Sequence, residues 1–396
     1  MKVTTASSTS VNFTFTVVMN LHLIDDEKFF DPFVEKLESL NLLENNIFIV
    51  KECGPLKFIK RSDLVHGRMC ETDLIGDTRQ YKKVFIHCFT PDMYDWVLAH
   101  SFKELNWMIW GKELYSSDLV NYPLYELLTK EIVKKVSAQR FSLNLGYWRP
   151  KNVIRRVNLP RIFSKFDNIL TWIEPEYEYA VRNIKGLRAK HQQFAYMFEM
   201  DANVLRRRFG STQSSRKRIT ELRCILGNSG VASNNHLDAI KKTNNIPFKE
   251  ILIPISYGNE RYIELLKDAV QTTCANGNIN YLDKYVSFTD YIEVFDQYDV
   301  FISNSIRPVG MGNVWMALLM GKLVFMNRRN LVFPYLRAMG IEIFDIGMIE
   351  KVDSIFKTID LKKNADLAAE FLSNKRINKM YVQLFSKEVA MQHEAV

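Results

Sequence analysis

The 396-residue chain has no Cys-x-x-Cys pair, and its five cysteines, Cys53, Cys70, Cys88, Cys224 and Cys274, are odd in number and scattered. That pattern excludes a disulfide framework and a thiolate zinc site, and it fits reduced thiols in a cytosolic setting. No window approaches the roughly 20 uninterrupted apolar residues that a membrane-spanning helix needs. A soluble protein is expected, or one at most peripheral to a membrane. GxxxxGK[ST] is missing, which removes a P-loop NTPase; so is GxGxxG with an acid about 20 residues on, which disfavours a dinucleotide site. No Asp-x-Asp lies between strands, so neither a divalent metal nor any other cofactor is expected. Beyond a Ser/Thr-rich lead, the chain shows no low-complexity tract and no repeat of roughly 20 to 50 residues.

Length and a 47% hydrophobic composition are enough for two domains, each with its own core. At the N-terminus, an apolar segment interrupted by Asn12, Asn20 and His22 reads as a strand over Val11–Met19, rather than a signal peptide or a membrane span. Ile47–Val50, Val84–Phe89, Leu105–Trp110 and Ile169–Ile173 read as further strands, and Phe29–Leu40 as an amphipathic helix. Pro91 and Pro175 each open a helix, the second with Glu174, Glu176 and Glu178 at its favoured acidic end. Strands alternating with helices predict parallel α/β sheets covered on both faces.

The net charge of +8 is unevenly spread. Between Asn121 and Lys165, ten Lys/Arg stand against two acids, an excess equal to that of the whole chain. Within it Trp148, Arg149, Lys151, Arg155 and Arg156 interleave aromatic and cationic side chains. Such a stretch suits an anionic lipid surface, at about 1 kcal/mol per cation. A plain solvated face reads equally well from the same residues, and nucleic acid is the weaker third alternative. The polar, basic, aperiodic segment around residues 206–218 reads as a linker. It divides residues 1–205 from residues 219–396.

The second half alternates more cleanly, with strands at Leu222–Leu226, Glu250–Pro254, Ile279–Leu282, Val300–Ser303, Leu323–Met326 and Glu342–Ile346. Three of them run into polar, glycine-bearing loops that open helices: GNSGVASNNH from Gly227, PISYGNERY from Pro254 and NSIRPVGMGN from Asn304. In parallel α/β sheets ligands bind beyond the carboxyl ends of the strands. Gly227, Asn228, Ser229, Gly230, Ser233, Asn234 and His236 form a loop that can aim N–H groups at a phosphate, with a helix dipole behind it. Gly310, Gly312 and Asn313 offer a second backbone approach, Arg307 a fixed cation for a diphosphate, and Tyr257 a ring for stacking. Read as structure alone, these are a capped turn, a surface ion pair and a packed aromatic.

IWGKELY at Ile109–Tyr115, LGNSGVASNNH at Leu226–His236, PISYGNERYIE from Pro254, and RPVGMGN with the following GKLVFMNR carry a resemblance. They resemble the bacterial TDP-N-acetylfucosamine:lipid II N-acetylfucosaminyltransferases, the 4-alpha-L-fucosyltransferases of glycosyltransferase family 56. The resemblance implies a GT-B fold, two Rossmann-like domains facing each other across a cleft. It further implies a nucleotide sugar (TDP-sugar) held by the C-terminal domain and a polyprenyl-diphosphate-linked acceptor facing the N-terminal one. Peripheral association with the cytoplasmic side of the bacterial inner membrane and no nucleic-acid partner go with it. His87 at the end of its strand and Glu113 beyond Trp110 are the candidate bases, and Trp110 is the candidate platform for an acceptor sugar. An epimerase of similar two-domain shape and a non-catalytic nucleotide-sugar-binding protein are the rival readings.

Overall fold

The computed structural model of the protein describes residues 19–25, 27–51, 54–69, 76–115, 119–141, 158–195, 202–209, 217–273 and 278–386. Two parallel sheets organise them. Seven strands form the first: β1 (Asn20–Ile24), β2 (Asn46–Val50), β3 (Gly67–Arg68), β4 (Val84–His87), β5 (Leu105–Met108), β6 (Asn168–Thr171) and β7 (Lys190–Gln193). Their spatial order is β3-β2-β1-β4-β5-β6-β7. The expected strand Val11–Met19 lies, except for Met19, outside the described residues, and β1 follows it directly. β7 reads KHQQ and carries no apolar alternation, because an edge strand has to bury little.

Side-chain alternation sends β1, β2, β4, β5 and β6 into two cores. Leu21 and Leu23 of β1 join Ile86, Trp107 and Phe163 on one face. On the other, Ile24, Phe85, Met108 and Leu170 pack under the helix Phe30–Ser39.

The second sheet has six strands: β8 (Arg223–Leu226), β9 (Glu250–Pro254), β10 (Ile279–Leu282), β11 (Val300–Ser303), β12 (Leu323–Met326) and β13 (Phe344–Asp345). They run β10-β9-β8-β11-β12-β13. Helices His236–Thr243 and Glu260–Thr273 cover one face. The other is covered by Met311–Leu319 and Leu361–Phe371. Met311–Leu319 is apolar nearly all round and buried from Val314 to Leu319, as befits a helix sandwiched between a sheet and another helix.

Division by sequence into residues 1–205, 206–218 and 219–396 is crossed in space by three segments. Helix Leu127–Phe141, which lies between β5 and β6 in the chain, packs on the second domain. Its first turn is capped by a side chain of that domain: Asp238 accepts from the Leu128 and Thr129 N–H groups and from the Thr129 hydroxyl. Ala202 and Leu205 of helix Ala202–Phe209 sit in the second domain's core. The last helix, Asn374–Phe385, returns the other way, burying Ile377, Tyr381, Leu384 and Phe385 against the first sheet.

His87 belongs to this core. Its Nε2 lies 2.9 Å from Nδ1 of His22, whose Nε2 lies 2.9 Å from Oδ1 of Asn46. Phe33 packs edge-on to His87 and tilted against His22, and Phe85 stacks on His22. Burial drives both pKa values down, that of His22 to about 3. The folded state therefore holds two neutral imidazoles that the unfolded chain protonates below its ordinary value of about 6.5. Since the unfolded state binds more protons there, stability falls as pH drops below 6.5, by about 1.4 kcal/mol per pH unit for each such histidine. Urea unfolding between pH 7.5 and 4.5 should show this loss; a flat profile would mean that the pair is charged or solvated.

Candidate active site

Strand order in the second sheet reverses between β8 and β11, and a crevice opens at such a switch point beyond the strand ends. The loops that follow these two strands meet there. Gly227 closes β8 in the left-handed region at φ +76°, with the His236 ring directly beneath it: a Cβ on Gly227 would lie 2.8 Å from Nε2. Gly230 bridges to Gly258, donating to the Tyr257 carbonyl at 2.7 Å. A Cβ on Gly310 would lie 2.6 Å from the Asn228 side chain, so the loops after β8 and β11 touch.

Above this floor Asn228 donates to the Tyr257 hydroxyl at 3.4 Å, and Asn313 to that of Tyr291 at 2.8 Å. Tyr257 remains 55% exposed, an aromatic face at the mouth of the crevice. Asn234 is spent inside the loop on the Ser229 and Val231 carbonyls. Two polar atoms beneath the loop, Oγ of Ser233 and Nε2 of His236, are buried and find no hydrogen-bond partner. Burial lowers the pKa of His236 to about 3, so it supports the loop as a neutral ring.

Asn235, which the sequence did not single out, fastens this loop to the chain arriving from the first domain. It is fully buried at φ +52°, a left-handed conformation that Asn tolerates better than most residues. Its Nδ2 donates to the carbonyls of Leu124, Ser233 and Asn304, and its Oδ1 accepts from Glu126 N. The Glu126 carboxylate in turn gathers Lys242, Asn304 and Asn327. Tyr122 in the same strap donates to the Ile306 carbonyl at 2.9 Å.

Arg307 reaches toward the first domain. Its Nη1 would lie 3.7 Å from a Cβ on Gly111, and its neighbours in charge are Tyr115, Glu176, Tyr125 and Glu113. Burial lowers its pKa. Among the described residues the guanidinium donates no hydrogen bond and forms no ion pair, an arrangement that leaves a half-buried cation open to a ligand anion.

Opposite it stand two carboxyl groups. Glu113 is 3% exposed; it accepts from Trp110 N, the Trp107 indole and the Cys88 thiol, and burial raises its pKa. Trp110 lies half-buried beside it, edge-on to Phe29 at 4.4 Å. Glu176, read from sequence as a helix-start carboxylate, stands in that first turn and is also buried, accepting from the Tyr115 hydroxyl at 3.0 Å.

The structure thus brings together Gly227, Asn228, Ser229, Gly230, Tyr257, Gly310, Gly312 and Asn313, with Arg307, Glu113 and Trp110 across the crevice. It does not bring His87 there. At 1% exposure inside an aromatic core, that ring reaches no substrate, which corrects its expectation as a base. Trp148, Arg149, Lys151, Arg155 and Arg156 lie outside the described residues. A cavity of about 430 Å³ lined by Glu126, Lys242, Asn327, Arg328, Arg329 and Asp345 sits beside β12 and β13, off the switch point. Two of its cations are already paired, Lys242 with Glu126 and Arg328 with Asp345. No group of three or more His, Cys, Asp or Glu suited to a metal occurs among the described residues.

Solved structures share this architecture. HepE of Anabaena, crystallised with UDP, superposes with a TM-score of 0.61 at 11% identity, covering 92% of this chain and 99% of its own. Sucrose-phosphate synthase of Thermosynechococcus elongatus gives 0.57 at 12% identity over 93% and 98%. A glycosyltransferase of Rickettsia africae gives 0.57 at 12% over 95% and 99%. The fold is the GT-B type. Residues 178–375, half of the chain, match the family described as 4-alpha-L-fucosyltransferase, glycosyl transferase group 56.

The contact between Gly258 and Gly230 sets the height of the crevice floor. A Cβ on Gly258, at φ +144°, would lie 2.3 Å from the Gly230 carbonyl oxygen, and backbone cannot yield as a side chain does. Gly258→Ala should therefore destabilise the protein by about 2 kcal/mol or more and weaken nucleotide binding. A melting temperature within a degree of wild type would mean that the two loops do not meet.

Proposed function

Because the chain belongs to the 4-alpha-L-fucosyltransferase family, glycosyl transferase group 56, it is a glycosyltransferase, and we propose its substrates. It moves an N-acetylated amino-deoxyhexose of the N-acetylfucosamine type from a TDP-sugar to a polyprenyl-diphosphate-linked oligosaccharide, in bacterial surface polysaccharide synthesis. The observation that carries the donor assignment is the meeting of the loops after β8 and β11 at the switch point, with the unpaired guanidinium of Arg307 beside them. HepE was solved with UDP and with UDP-glucose, which supports a nucleotide sugar here.

Transfer needs a stabilised diphosphate leaving group. The Gly227 and Gly230 N–H groups are already given to the Ile302 and Tyr257 carbonyls, so the fixed dipoles come from the N–H groups of Asn228 and Ser229 between them and from the start of helix Met311–Leu319, and Arg307 supplies full charge. Held in place by the fold, these groups need no reorganisation when the bond breaks. We assign the stabilisation to these groups and propose that no divalent ion is required. Tyr257 and Tyr291 flank the crevice mouth where a base or ribose stacks.

The acceptor reading places the enzyme peripherally at the cytoplasmic side of the inner membrane. Arg149, Lys151, Arg155 and Arg156, interleaved with Trp148, are its expected contacts with anionic lipid. No helix among the described residues is long and apolar enough to cross a membrane.

Three experiments test these assignments. Calorimetry with TDP should show Arg307→Ala binding at least tenfold more weakly, and TDP-sugar transfer should persist in EDTA. Unchanged affinity would remove Arg307 from the donor site, and full loss restored by magnesium would overturn metal independence. Replacing Arg149, Lys151, Arg155 and Arg156 by Ser should abolish co-sedimentation with phosphatidylglycerol-containing liposomes without lowering the melting temperature; persistent co-sedimentation would move the membrane contact elsewhere.

A further inference from the structure

Glu113 and Glu176 are two buried carboxyls at one place, but they are bound differently. Glu113 spends one oxygen on its own loop and strand, through Trp110 N and the Trp107 indole, and the other on the Cys88 thiol just beyond β4. Removing it would release the turn that carries Gly111. Glu176 takes one hydrogen bond among the described residues, from the Tyr115 hydroxyl at 3.0 Å. It stands in the first turn of helix Glu174–Asn183, beyond the carboxyl end of β6, on the sheet edge that faces the second domain. Across from it, Arg307 is near enough to feel its charge, yet forms no ion pair with it. A cation reserved for a diphosphate and a carboxylate with capacity to spare thus face each other over the junction of the two domains.

Resting on the glycosyl transfer proposed above, we infer that Glu176 is the proton acceptor of the transfer step. The acceptor hydroxyl oxygen bonds to the anomeric carbon of the donor sugar. The bond from that carbon to the β-phosphate oxygen breaks, and its electron pair leaves on the diphosphate beside Arg307. The hydroxyl proton passes to the Glu176 carboxylate. Glu113 is then a positioning residue: it holds the Gly111 turn against which Arg307 lies.

The surroundings suit that task. Burial raises the Glu176 pKa to about 7, the Tyr115 hydrogen bond opposes the rise, Glu113 adds to it and Arg307 opposes it. Tyr122 also faces the carboxyl. A proton acceptor works best with a pKa near the operating pH, and such groups contribute typically 10²- to 10⁴-fold in rate.

The test measures turnover of TDP-4-acetamido-4,6-dideoxygalactose by the full chain between pH 5.5 and 9, with a lipid-linked acceptor and with water alone. Wild type should show kcat rising through an apparent pKa near 7 with either acceptor. Glu176→Gln should lose at least about 100-fold in kcat while its TDP affinity, by calorimetry, stays within threefold. Tyr115→Phe removes the hydrogen bond that favours the carboxylate, so its rising limb should move to higher pH; a purely structural role for Glu176 would leave that limb in place. A folded Glu176→Gln that keeps kcat and the limb overturns the inference. Should that variant fail to fold, an unshifted limb in Tyr115→Phe overturns it instead. Failure of the donor reading looks different, since a wild type that neither binds TDP nor turns over the TDP-sugar removes both.

Discussion

The arrangement of the two domains depends on one buried polar knot. Asn235 has no exposed surface, and its side chain donates to Leu124, Ser233 and Asn304 and accepts from Glu126. Breaking any of these bonds would leave a buried polar group unsatisfied, at about 1 to 3 kcal/mol. The knot joins the glycine loop after β8, the loop after β11 and the strap that comes across from β5. Because networks of this kind act as units, the crevice floor and the strap position are set together. The strap then continues into helix Leu127–Phe141, whose first turn Asp238 caps. The first domain is tied to the second by hydrogen bonds here, and by apolar burial at the other end, where Tyr381 and Phe385 pack on its sheet.

Charge in the cleft follows from that fixed geometry. Arg307 is carried on the loop after β11, whose carbonyls at Ser305 and Arg307 are held by Asn330, so the guanidinium reaches the first domain on a rigid base. An unpaired cation held in a poorly solvated place costs free energy in the empty enzyme and binds an anion correspondingly well. The carboxyls opposite are raised in pKa chiefly by burial. One crevice thereby holds a group suited to a departing diphosphate and a group suited to a proton.

Much of the fold was legible in the sequence, and the reason is physical. Strands buried on both faces read as short apolar runs, so EILIP, VFIS and LVFM matched β9, β11 and β12 residue for residue. Ser287, a cap residue directly before its helix, accepts from Asp290 N. Glycine loops after strands marked the crevice because left-handed backbone at Gly227 and Gly310 leaves a sequence trace. Long-range burial leaves none. His87 ends a strand, and nothing local says that His22 and Phe33 close over it. Glu176 looks like any acid in a first helical turn until Tyr115 and Arg307 close over it. Likewise, helix Leu127–Phe141 gave no sign that its cap would come from Asp238, over 100 positions along.

The most direct test of the account is a crystal structure with TDP bound. The diphosphate is predicted to lie over Gly227–Gly230, within hydrogen-bond reach of Arg307, with the thymine near Tyr257 and Tyr291. A diphosphate seated instead in the cavity between Lys242, Arg328 and Arg329 would contradict it, since the glycine loop and the unpaired guanidinium would then serve some other purpose.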